Sequence, residues 1–399
     1  MKILHVIPRL SVRCGGPVTA VIGMTSALQR AGHEVRLFAT DNWADGIADK
    51  LECETKVFHA RYGPWQWAPA LGRALKREVA NADIVNLHTL WSYPGNVAAR
   101  ACRAAKVPYI VRPCGMLDQW SLGQKTFKKR IYSTLFERKN INSAAALWFT
   151  SEGERDGAQK FDYSCADAVV PLGLAPEAYS DLPVAGTFRN SHPQLIGKRL
   201  ILFLGRITPK KRTDLLVKAF AEISADFPDV SLVIAGPDEG TYLSEVQQLA
   251  TNLGIGGRTV FTGALRGREV QAALVDTDVF VLPSLHENFG VSVIEAMACG
   301  VPIILSNLVN LAGLIREESA GLSIAPDQNS LVAALRRILS DPEAAREMGM
   351  NGRKLALDRF TWDGILPAVI DLYTRAIETK GVRIANATRD ADYGELKVS

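Results

Sequence analysis

Short apolar runs alternate with longer amphipathic segments along the first half of the chain. The short runs are rich in β-branched residues, and the longer segments repeat apolar residues with the period of a helix. The predicted strands are Ile3–Ile7, Val35–Ala39, Ile84–Leu87, Tyr109–Arg112, Ala146–Phe149 and Ala168–Val170. The predicted helices are Val18–Arg30, Trp67–Val79, Asn96–Ala105, Phe127–Lys139 and Glu152–Lys160. This alternation indicates parallel βαβ units.

The same alternation resumes after residues 174–198, which are rich in Pro, Gly, Ser and Asn and which we interpret as a linker. The predicted strands of the second half are Leu200–Leu204, Ser231–Ala235, Thr259–Phe261, Val279–Leu282 and Pro302–Leu305. Its predicted helices are Leu215–Ile223, Ser244–Leu253, Glu269–Val275, Val291–Ala298, Ser330–Ile338 and Ala344–Leu357.

Two such halves predict an α/β protein with two Rossmann-like, doubly wound parallel-sheet domains that face a cleft. A chain of 399 residues suits two domains better than one. We place the N-terminal domain at 1–173 and the C-terminal domain at 199–360. A last helix at 361–379 is expected to pack back on the N-terminal domain, and the polar tail 380–399 is expected to be frayed.

Composition narrows the class of protein. No apolar run reaches the roughly 18 residues that span a bilayer, and the start lacks a signal peptide pattern, so a cytoplasmic location is expected. The six cysteines show no CxxC spacing, which argues against a zinc site or a redox pair. Residues 1–173 hold 23 Lys and Arg against 15 Asp and Glu, but no nucleic-acid-binding module accompanies this excess.

The most informative segment is Pro283–Pro302. A predicted strand ends before it, a polar loop carries Glu287, and a helix that carries Glu295 begins near Gly290. Unpaired amides at a helix start favour a phosphate, and ionised carboxylates accept hydrogen bonds from sugar hydroxyls. Taken singly, Glu287 also suits a charge that complements the helix dipole, and Glu295 also suits a solvated helix position.

The whole segment resembles the E-x7-E signature of the retaining glycosyltransferases of family 4, which have the two-domain GT-B fold. Phe203–Asp214 resembles the G-R-x-x-x-x-K stretch of that family. Gly15-Gly16 resembles its glycine pair, although a tight strand-to-helix turn would also account for these glycines. Val170–Gly173 extends the resemblance, which covers nearly all of residues 1–378.

The resemblance implies a role for each matching residue. Glu287 would bind hydroxyls of the donor sugar, and Glu295 would bind the ribose. Arg206 and Lys211 would bind the diphosphate and stabilise it as it leaves. The backbone amides of the loop and helix start would contact the sugar and β-phosphate, which adds Asn288, Phe289, Gly290 and Val291 to the donor site. Gly15 and Gly16 are further donor-binding candidates, and the loop Gly263–Gly267 is a candidate for the nucleobase.

The resemblance also implies the substrates. The donor would be a UDP- or GDP-sugar, and a hexose would pass to a glycan or lipid-linked acceptor during synthesis of a cell-surface polysaccharide. No cofactor and no metal are expected. Asp276-Thr-Asp278 spells the DxD of metal-dependent glycosyltransferases, but it lies where a helix ends and a strand begins, so we interpret it as part of that connection.

One position departs from the family pattern. Many members have a His-Gly pair after the strand equivalent to Tyr109–Arg112, whereas Cys114 precedes Gly115 here. A thiol does not reproduce the hydrogen bonds of an imidazole, so Cys114 is better interpreted as a small cleft residue than as a nucleophile. Either the reaction needs no side chain there, because the leaving phosphate helps to take the acceptor proton, or His88 substitutes. Cys114 and His88 are thus the acceptor-side candidates. His88 is equally typical of a hydrogen-bonded histidine at a strand end.

Residues Trp120–Lys139 combine cationic and aromatic side chains at helical spacing. They suit either peripheral contact with an anionic membrane or an ordinary helix with a cationic outer face. Two alternatives to a transferase remain. One is a nucleotide-sugar epimerase or a phosphorylase of the same fold. The other is a non-catalytic subunit that binds a nucleotide-sugar.

Overall fold

The chain forms two compact units in a computed structural model. The model describes residues 1–11, 14–41, 46–61, 63, 65–123, 129, 131–238 and 240–379. The first unit is Met1–Gly173 together with the chain from Trp362 onward, and the second is Leu174–Thr361. Each contains one all-parallel sheet with helices, which confirms the predicted fold class.

The sheet of the first unit has seven strands in the order β3-β2-β1-β4-β5-β6-β7. These strands are β1 Lys2–Arg9, β2 Glu34–Thr40, β3 Glu54–Phe58, β4 Ile84–His88, β5 Tyr109–Arg112, β6 Ala146–Phe149 and β7 Ala166–Val169. The inner strands β1, β4 and β5 are almost completely buried, because helices cover both faces of a parallel sheet.

The helices of the first unit connect these strands. They are α1 Gly16–Arg30, α2 Pro69–Glu78, α3 Tyr93–Ala105, α4 Gln119–Gly123, α5 Arg138–Asn142 and α6 Glu152–Ala158, with a π-helical turn at Ser133–Glu137. Apolar side chains of α2 and α3 pack on one face of the sheet and form a core with β4 and β5. Where we predicted one helix at Phe127–Lys139, the structure has the π-helical turn followed by α5. Residues 127, 128 and 130 lie outside the described residues.

The last helix packs against α1 in the first unit. The close approach requires a glycine, because a Cβ added to Gly23 would lie 2.2 Å from the indole nitrogen of Trp362. Asn86 donates a hydrogen bond of 2.8 Å to the hydroxyl of Tyr373 on this helix. The C-terminal helix at Trp362–Glu378 therefore belongs with the first sheet. The predicted frayed tail, 380–399, lies outside the described residues.

The second unit has a six-stranded sheet in the order β10-β9-β8-β11-β12-β13. Its strands are β8 Arg199–Leu204, β9 Val230–Ala235, β10 Thr259–Gly263, β11 Val279–Leu282, β12 Ile303–Ser306 and β13 Gly321–Ile324. Its helices are α7 Glu177–Ser180, α8 Thr187–Ser191, α9 Thr213–Ile223, α10 Tyr242–Asn252, α11 Arg268–Val275, α12 Val291–Ala298, α13 Ala312–Glu317, α14 Gln328–Ser340 and α15 Pro342–Arg359, and the C-terminal helix of the first unit is α16.

Strands β3 and β13 and the short helices α4, α7, α8 and α13 were not predicted. Strands β3 and β13 lie at sheet edges, where partial exposure weakens the apolar pattern. Strand β13 also begins with Gly321, whose added Cβ would lie 2.2 Å from the carbonyl oxygen of Ile303. Helix α13 has only six residues, too few for a helical period to be recognised.

The segment 174–198, interpreted as a linker, is part of the second unit. It contains α7 and α8, and it buries Tyr179 and Phe188. The backbone amide of Arg189 donates to Asp276, and its guanidinium forms ion pairs with Asp276 and Asp278. These contacts are made across long sequence distances, so local composition did not reveal them.

Candidate functional site

The candidate donor site lies at the carboxyl ends of the strands in the second sheet. Strand β8 pairs with β9 on one side and with β11 on the other, so the order of the strands reverses at β8. Loops that follow the two strands on either side of such a reversal diverge and leave a crevice for a ligand. The loops after β8 and β11 carry Lys211 and Glu287, respectively.

Glycines hold the loops after β8, β9 and β10 close together. Gly205 donates its amide to Ala235, and Gly236 donates its amide to Gly263 at 2.8 Å. Gly236 has a φ of +148°, and a Cβ added to it would lie 1.8 Å from the carbonyl oxygen of Gly205. Backbone atoms therefore line this site at the carboxyl ends of β8, β9 and β10, which leaves room for side chains of the neighbouring turn.

Lys211 and Glu287 form an ion pair between the loops after β8 and β11. The two loops are also joined through backbone, because the amide of Leu285 donates to the carbonyl of Lys210 at 2.9 Å. The side chains of Lys211 and Glu287 are only 13% and 12% exposed. The pair is thus shielded from solvent, where charges interact more strongly than at an open surface. Two residues predicted from separate motifs are brought into contact.

The ion pair fixes the charge of Glu287. Burial alone would raise the pKa of this carboxyl, but the charge and hydrogen bond of Lys211 hold the pKa below its ordinary value. Glu287 is therefore an anion at neutral pH, able to accept hydrogen bonds from hydroxyl groups.

The start of α12 follows Glu287 in the chain. Its N-cap is Gly290, which has a φ of +86° and contributes no side-chain cap, and the first turn has no acidic residue. The loop before it is anchored, since Asn310 donates to the carbonyl of Asn288 at 2.7 Å. Helix-start amides without a capping carboxylate suit an anionic ligand.

The side chain of Phe289 belongs to the hydrophobic core of the second unit. It is 3% exposed, and its ring packs edge-on against Phe360 at a centroid distance of 5.7 Å. Any donor contact of Phe289 would therefore come from its backbone. Val291, the first residue of α12, is half-buried.

Glu295 lies one and a half turns into α12. Burial raises the pKa of its carboxyl to about 7. Tyr179 and Cys299 are close enough that the charge of Glu295 raises the pKa of each. Arg353 of α15 holds this end of α12 by donating to the carbonyls of Ala298 and Tyr179. Within the described part of the chain, the Glu295 carboxyl accepts no hydrogen bond, so its full capacity is available to a ligand.

Arg206 lies in the loop after β8, and the nucleobase candidate, Gly263–Gly267, lies at the end of β10. Arg206 directly follows Gly205 and is exposed, and the next residue, Ile207, donates its amide to Pro237 at 2.9 Å. The loop Gly263–Gly267 starts at the end of β10, and both of its terminal glycines have positive φ.

Asp276 and Asp278 lie at the opposite end of the sheet. Asp278 accepts the amide of Leu200 at the start of β8, and Asp276 accepts the amides of Gly186 and Arg189. Both carboxylates are thus used to connect chain segments, as we interpreted them. No group of three or more His, Cys, Asp or Glu side chains suited to a metal occurs among the described residues.

In the first unit, Gly15 and Gly16 mark the start of α1. Gly15 is its N-cap with a φ of +66°, and Gly16 is its first residue. A Cβ added to Gly15 would meet no atom within 4 Å, so backbone conformation, not close packing, requires this glycine.

We predicted His88 as an acceptor-side candidate, but its side chain is buried. It is 1% exposed and stacks on His5, with a hydrogen bond of 3.0 Å between the two rings. Arg112 donates to Nδ1 of His88 at 3.2 Å. Burial, together with the charge of Arg112, lowers the pKa of His88 well below its ordinary value. The hydrogen-bonded alternative describes this histidine.

Cys114 lies in a turn with a φ of +54°, beside Gly115. Burial raises the pKa of its thiol, so the group is protonated at neutral pH and is a poor nucleophile. Sequence reasoning missed Glu154, a buried carboxylate that accepts the amides of Gly115 and Thr150 at 2.6 and 2.7 Å. Its distance from Cys114 in the sequence gave no signal of this contact.

The segment Trp120–Lys139 is described in part, because residues 124–128 and 130 and the side chain of Trp120 lie outside the described residues. Ile131 and Leu135 are 47% and 61% exposed, and Arg138 and Lys139 are exposed as well. Contact of this segment with a membrane stays a prediction. No helix in the described ranges has the length and apolar character needed to traverse a bilayer.

Comparisons with known proteins show which family this chain belongs to. A family model described as "Glycosyl transferase 4-like domain" matches residues 15–173, and one described as "Glycosyl transferases group 1" matches residues 186–355. Together they cover every strand of the two sheets except β1, and all the residues of the candidate donor site. This chain belongs to the GT-B glycosyltransferases.

Relatives of this GT-B glycosyltransferase include two mannosyltransferases. The MMP alpha-(1->4)-mannosyltransferase of Mycolicibacterium hassiacum is 24% identical over 94% of this chain and 98% of its own length. The GDP-mannose-dependent alpha-(1-6)-phosphatidylinositol monomannoside mannosyltransferase of Mycolicibacterium smegmatis is 29% identical over 56% of this chain and only 61% of its own length. The structure of Anabaena HepE with UDP and glucose has the same fold, with a TM-score of 0.79, 19% identity and coverage of 94% and 99%.

Proposed function

We propose that this chain is a retaining glycosyltransferase of family 4. It transfers a hexose from a UDP- or GDP-sugar to a glycan or lipid-linked acceptor in cell-surface polysaccharide synthesis. The observation that carries the proposal is the shielded Lys211–Glu287 ion pair, which lies between the loops after β8 and β11 and adjoins the uncapped start of α12.

The groups at this edge match the parts of a nucleotide-sugar. The diphosphate is an anion, and it would meet the Lys211 ammonium, the Arg206 guanidinium and the amides at the start of α12. The Glu287 carboxylate accepts hydroxyls of the sugar. Glu295 accepts the ribose hydroxyls with a carboxyl that has no hydrogen bond within the described chain.

The same groups act on the leaving group. As the bond from the anomeric carbon to the phosphate oxygen breaks, negative charge grows on the diphosphate, and two fixed cations stabilise it without a metal. The acceptor oxygen bonds to the same face of the anomeric carbon, and its proton passes to the departing phosphate. This route needs no side-chain base, which agrees with the burial of His88 and the protonated thiol of Cys114.

The first test is a donor screen. UDP-glucose and GDP-mannose are added to the purified protein, and the cognate donor is expected to raise the melting temperature by mass action. With that donor and a panel of glycan and lipid acceptors, a glycosylated product of unchanged anomeric configuration is expected at full rate in EDTA. Donor binding without any transfer would favour the non-catalytic subunit, and a strict need for divalent metal would contradict the metal-free route.

Glu287→Gln tests the site in the same assay. The variant keeps the size of the side chain and removes its charge, so transfer is expected to fall at least about 100-fold, as for other groups that act on the reacting sugar. Glu222→Gln, an exposed substitution on α9, is the matched control. Equal rates for the two variants would refute the assignment.

A further inference from the structure

The turn that carries Lys211 is held in an unusual backbone conformation. Residues Pro209–Lys211 form one 3-10 turn, closed by a hydrogen bond of 2.9 Å from the amide of Lys211 to the carbonyl of Thr208. Arg212 then adopts a φ of +55° before α9 begins. Side-chain-bearing residues adopt this conformation only where surrounding contacts hold them, because it is strained.

Asp214 holds Arg212 directly, and Tyr242 in turn holds Asp214. The guanidinium of Arg212 donates from Nε to the Asp214 carboxylate at 3.1 Å. The hydroxyl of Tyr242, the first residue of α10, donates to the same carboxylate at 2.8 Å. These three residues, Arg212, Asp214 and Tyr242, make up what we call the turn clamp.

The ionisation states of Asp214 and Tyr242 in the turn clamp do not change near neutral pH. Burial alone would raise the pKa of Asp214, but the hydrogen bonds from Tyr242 and Arg212 and the charge of Arg212 hold it below its ordinary value. Burial and the neighbouring carboxylate raise the pKa of Tyr242 to about 12. Tyr242 is therefore a hydrogen-bond donor, and Asp214 an anionic acceptor, throughout the neutral range.

We propose that Tyr242 and Asp214 are positioning residues that fix the Lys211 ammonium for the reaction. They act through Arg212 and the Pro209–Lys211 turn and do not touch the donor. The proposal rests on the proposed function, because it assigns the clamp to the site that contains Lys211 and Glu287.

Two consequences follow if the clamp loosens. First, Lys211 shifts relative to the leaving diphosphate, and misplacement of a reacting group by about 1 Å can lower a rate about 100-fold. Second, Glu287 loses the cation that offsets its burial, so its pKa rises. Lys211 and Lys210 are the charged groups that lower the pKa of Glu287, and both lie in this turn.

The test compares Tyr242→Phe with Tyr163→Phe. Tyr163 donates to Asp167 at 2.7 Å in the first unit, so its substitution removes an equivalent Tyr–Asp hydrogen bond far along the chain from Lys211. The donor that raises the melting temperature, UDP-glucose or GDP-mannose, is used, and nucleoside diphosphate release is followed from pH 5 to 9. Asp214→Asn, which keeps the shape of the side chain and removes its charge, is measured as a second variant.

Tyr242→Phe is expected to lower kcat about 10- to 100-fold, with a smaller change in donor KM, and to move the acid limb of the pH profile upward. Asp214→Asn is expected to do the same, and Tyr163→Phe to leave both readouts unchanged. Wild-type kcat and pH profile in Tyr242→Phe, with Lys211→Ala inactive, would overturn the clamp and leave the proposed function standing. A loss of kcat that only follows a loss of folded protein, with an unchanged pH profile, would overturn it as well. Full activity of Lys211→Ala would instead refute the proposed function.

Discussion

The two units differ in how they use the ionisable residues of their central strands and of the loops that follow them. In the first unit, Arg112, His88 and His5 are buried and bond to one another in a row. Arginine is always a donor, so Nδ1 of His88 accepts, its Nε2 carries the hydrogen, and this hydrogen is donated to His5. In the second unit, Lys211 and Glu287 form an ion pair between the loops after β8 and β11, close to the start of α12.

The difference separates a structural cluster from a candidate binding site. Burial and the charge of Arg112 lower the pKa of His5 to about 3, so both histidines stay neutral. Both ring nitrogens of His88 and Nδ1 of His5 bond within the cluster, whereas Nε2 of His5 has no partner among the described residues. Glu295 keeps a carboxyl that accepts no hydrogen bond in the described chain. Residues of the first cluster should thus control stability, and residues of the second should control chemistry.

The largest expected effect is that of Lys211→Ala. Removing the cation deprives the leaving diphosphate of charge stabilisation, so kcat should fall about 100- to 1,000-fold. The melting temperature should fall as well, because Glu287 is left shielded without its cation, so kcat is compared per folded molecule. Lys218→Ala, an exposed lysine on α9, is the control and should keep full activity. A loss of stability as large as the loss of activity would erase the contrast between the units.

A smaller effect, on stability alone, is expected for His88→Ala. The substitution leaves a cavity and removes partners from His5 and Arg112, so the free energy of unfolding should fall by about 2–4 kcal/mol. Donor affinity per folded molecule should not change. Denaturant unfolding and calorimetry measure the two quantities, and lost transfer at wild-type stability would return His88 to the reaction.

The same cluster predicts that the folded state loses stability at acidic pH. The folded state keeps His5 and His88 neutral, whereas the unfolded chain protonates histidine near pH 6.5. The wild type should therefore lose stability as the pH falls below about 6.5. His88→Ala should show a shallower decline, because one of the two groups is gone.

The smallest effect concerns Glu295. Since its pKa is about 7, a proton would compete with the proposed ribose contact for the carboxylate near neutrality. Donor affinity should rise several-fold as the pH increases through 7, by the amount of carboxylate that becomes available. Calorimetry at pH 6 and pH 8 measures the change, and Glu295→Gln should bind weakly with no such dependence. An equal rise in the variant would assign the pH effect to another group.

The alternation of apolar and amphipathic segments was enough to predict two parallel-sheet units, because buried parallel strands are nearly continuous apolar runs. The edge strands β3 and β13 gave weak signals, since half-exposed strands need few apolar residues. The segment 174–198 was misread as a linker for a related reason. Its structure depends on Asp276 and Asp278, which lie about 90 residues away in sequence.

By itself, the sequence determined the fold class and the residue types of the candidate donor site, because these depend on local pattern and on motifs that stay contiguous. Lys211 and Glu287 were identified as candidates, but their contact was not. Only the tertiary structure decided that these two side chains pair, that His88 is enclosed by His5 and Arg112, and that Tyr242 bonds to Asp214 just after the turn that carries Lys211. Each of these depends on which strands are neighbours in a sheet, and that order is set by packing over the whole unit.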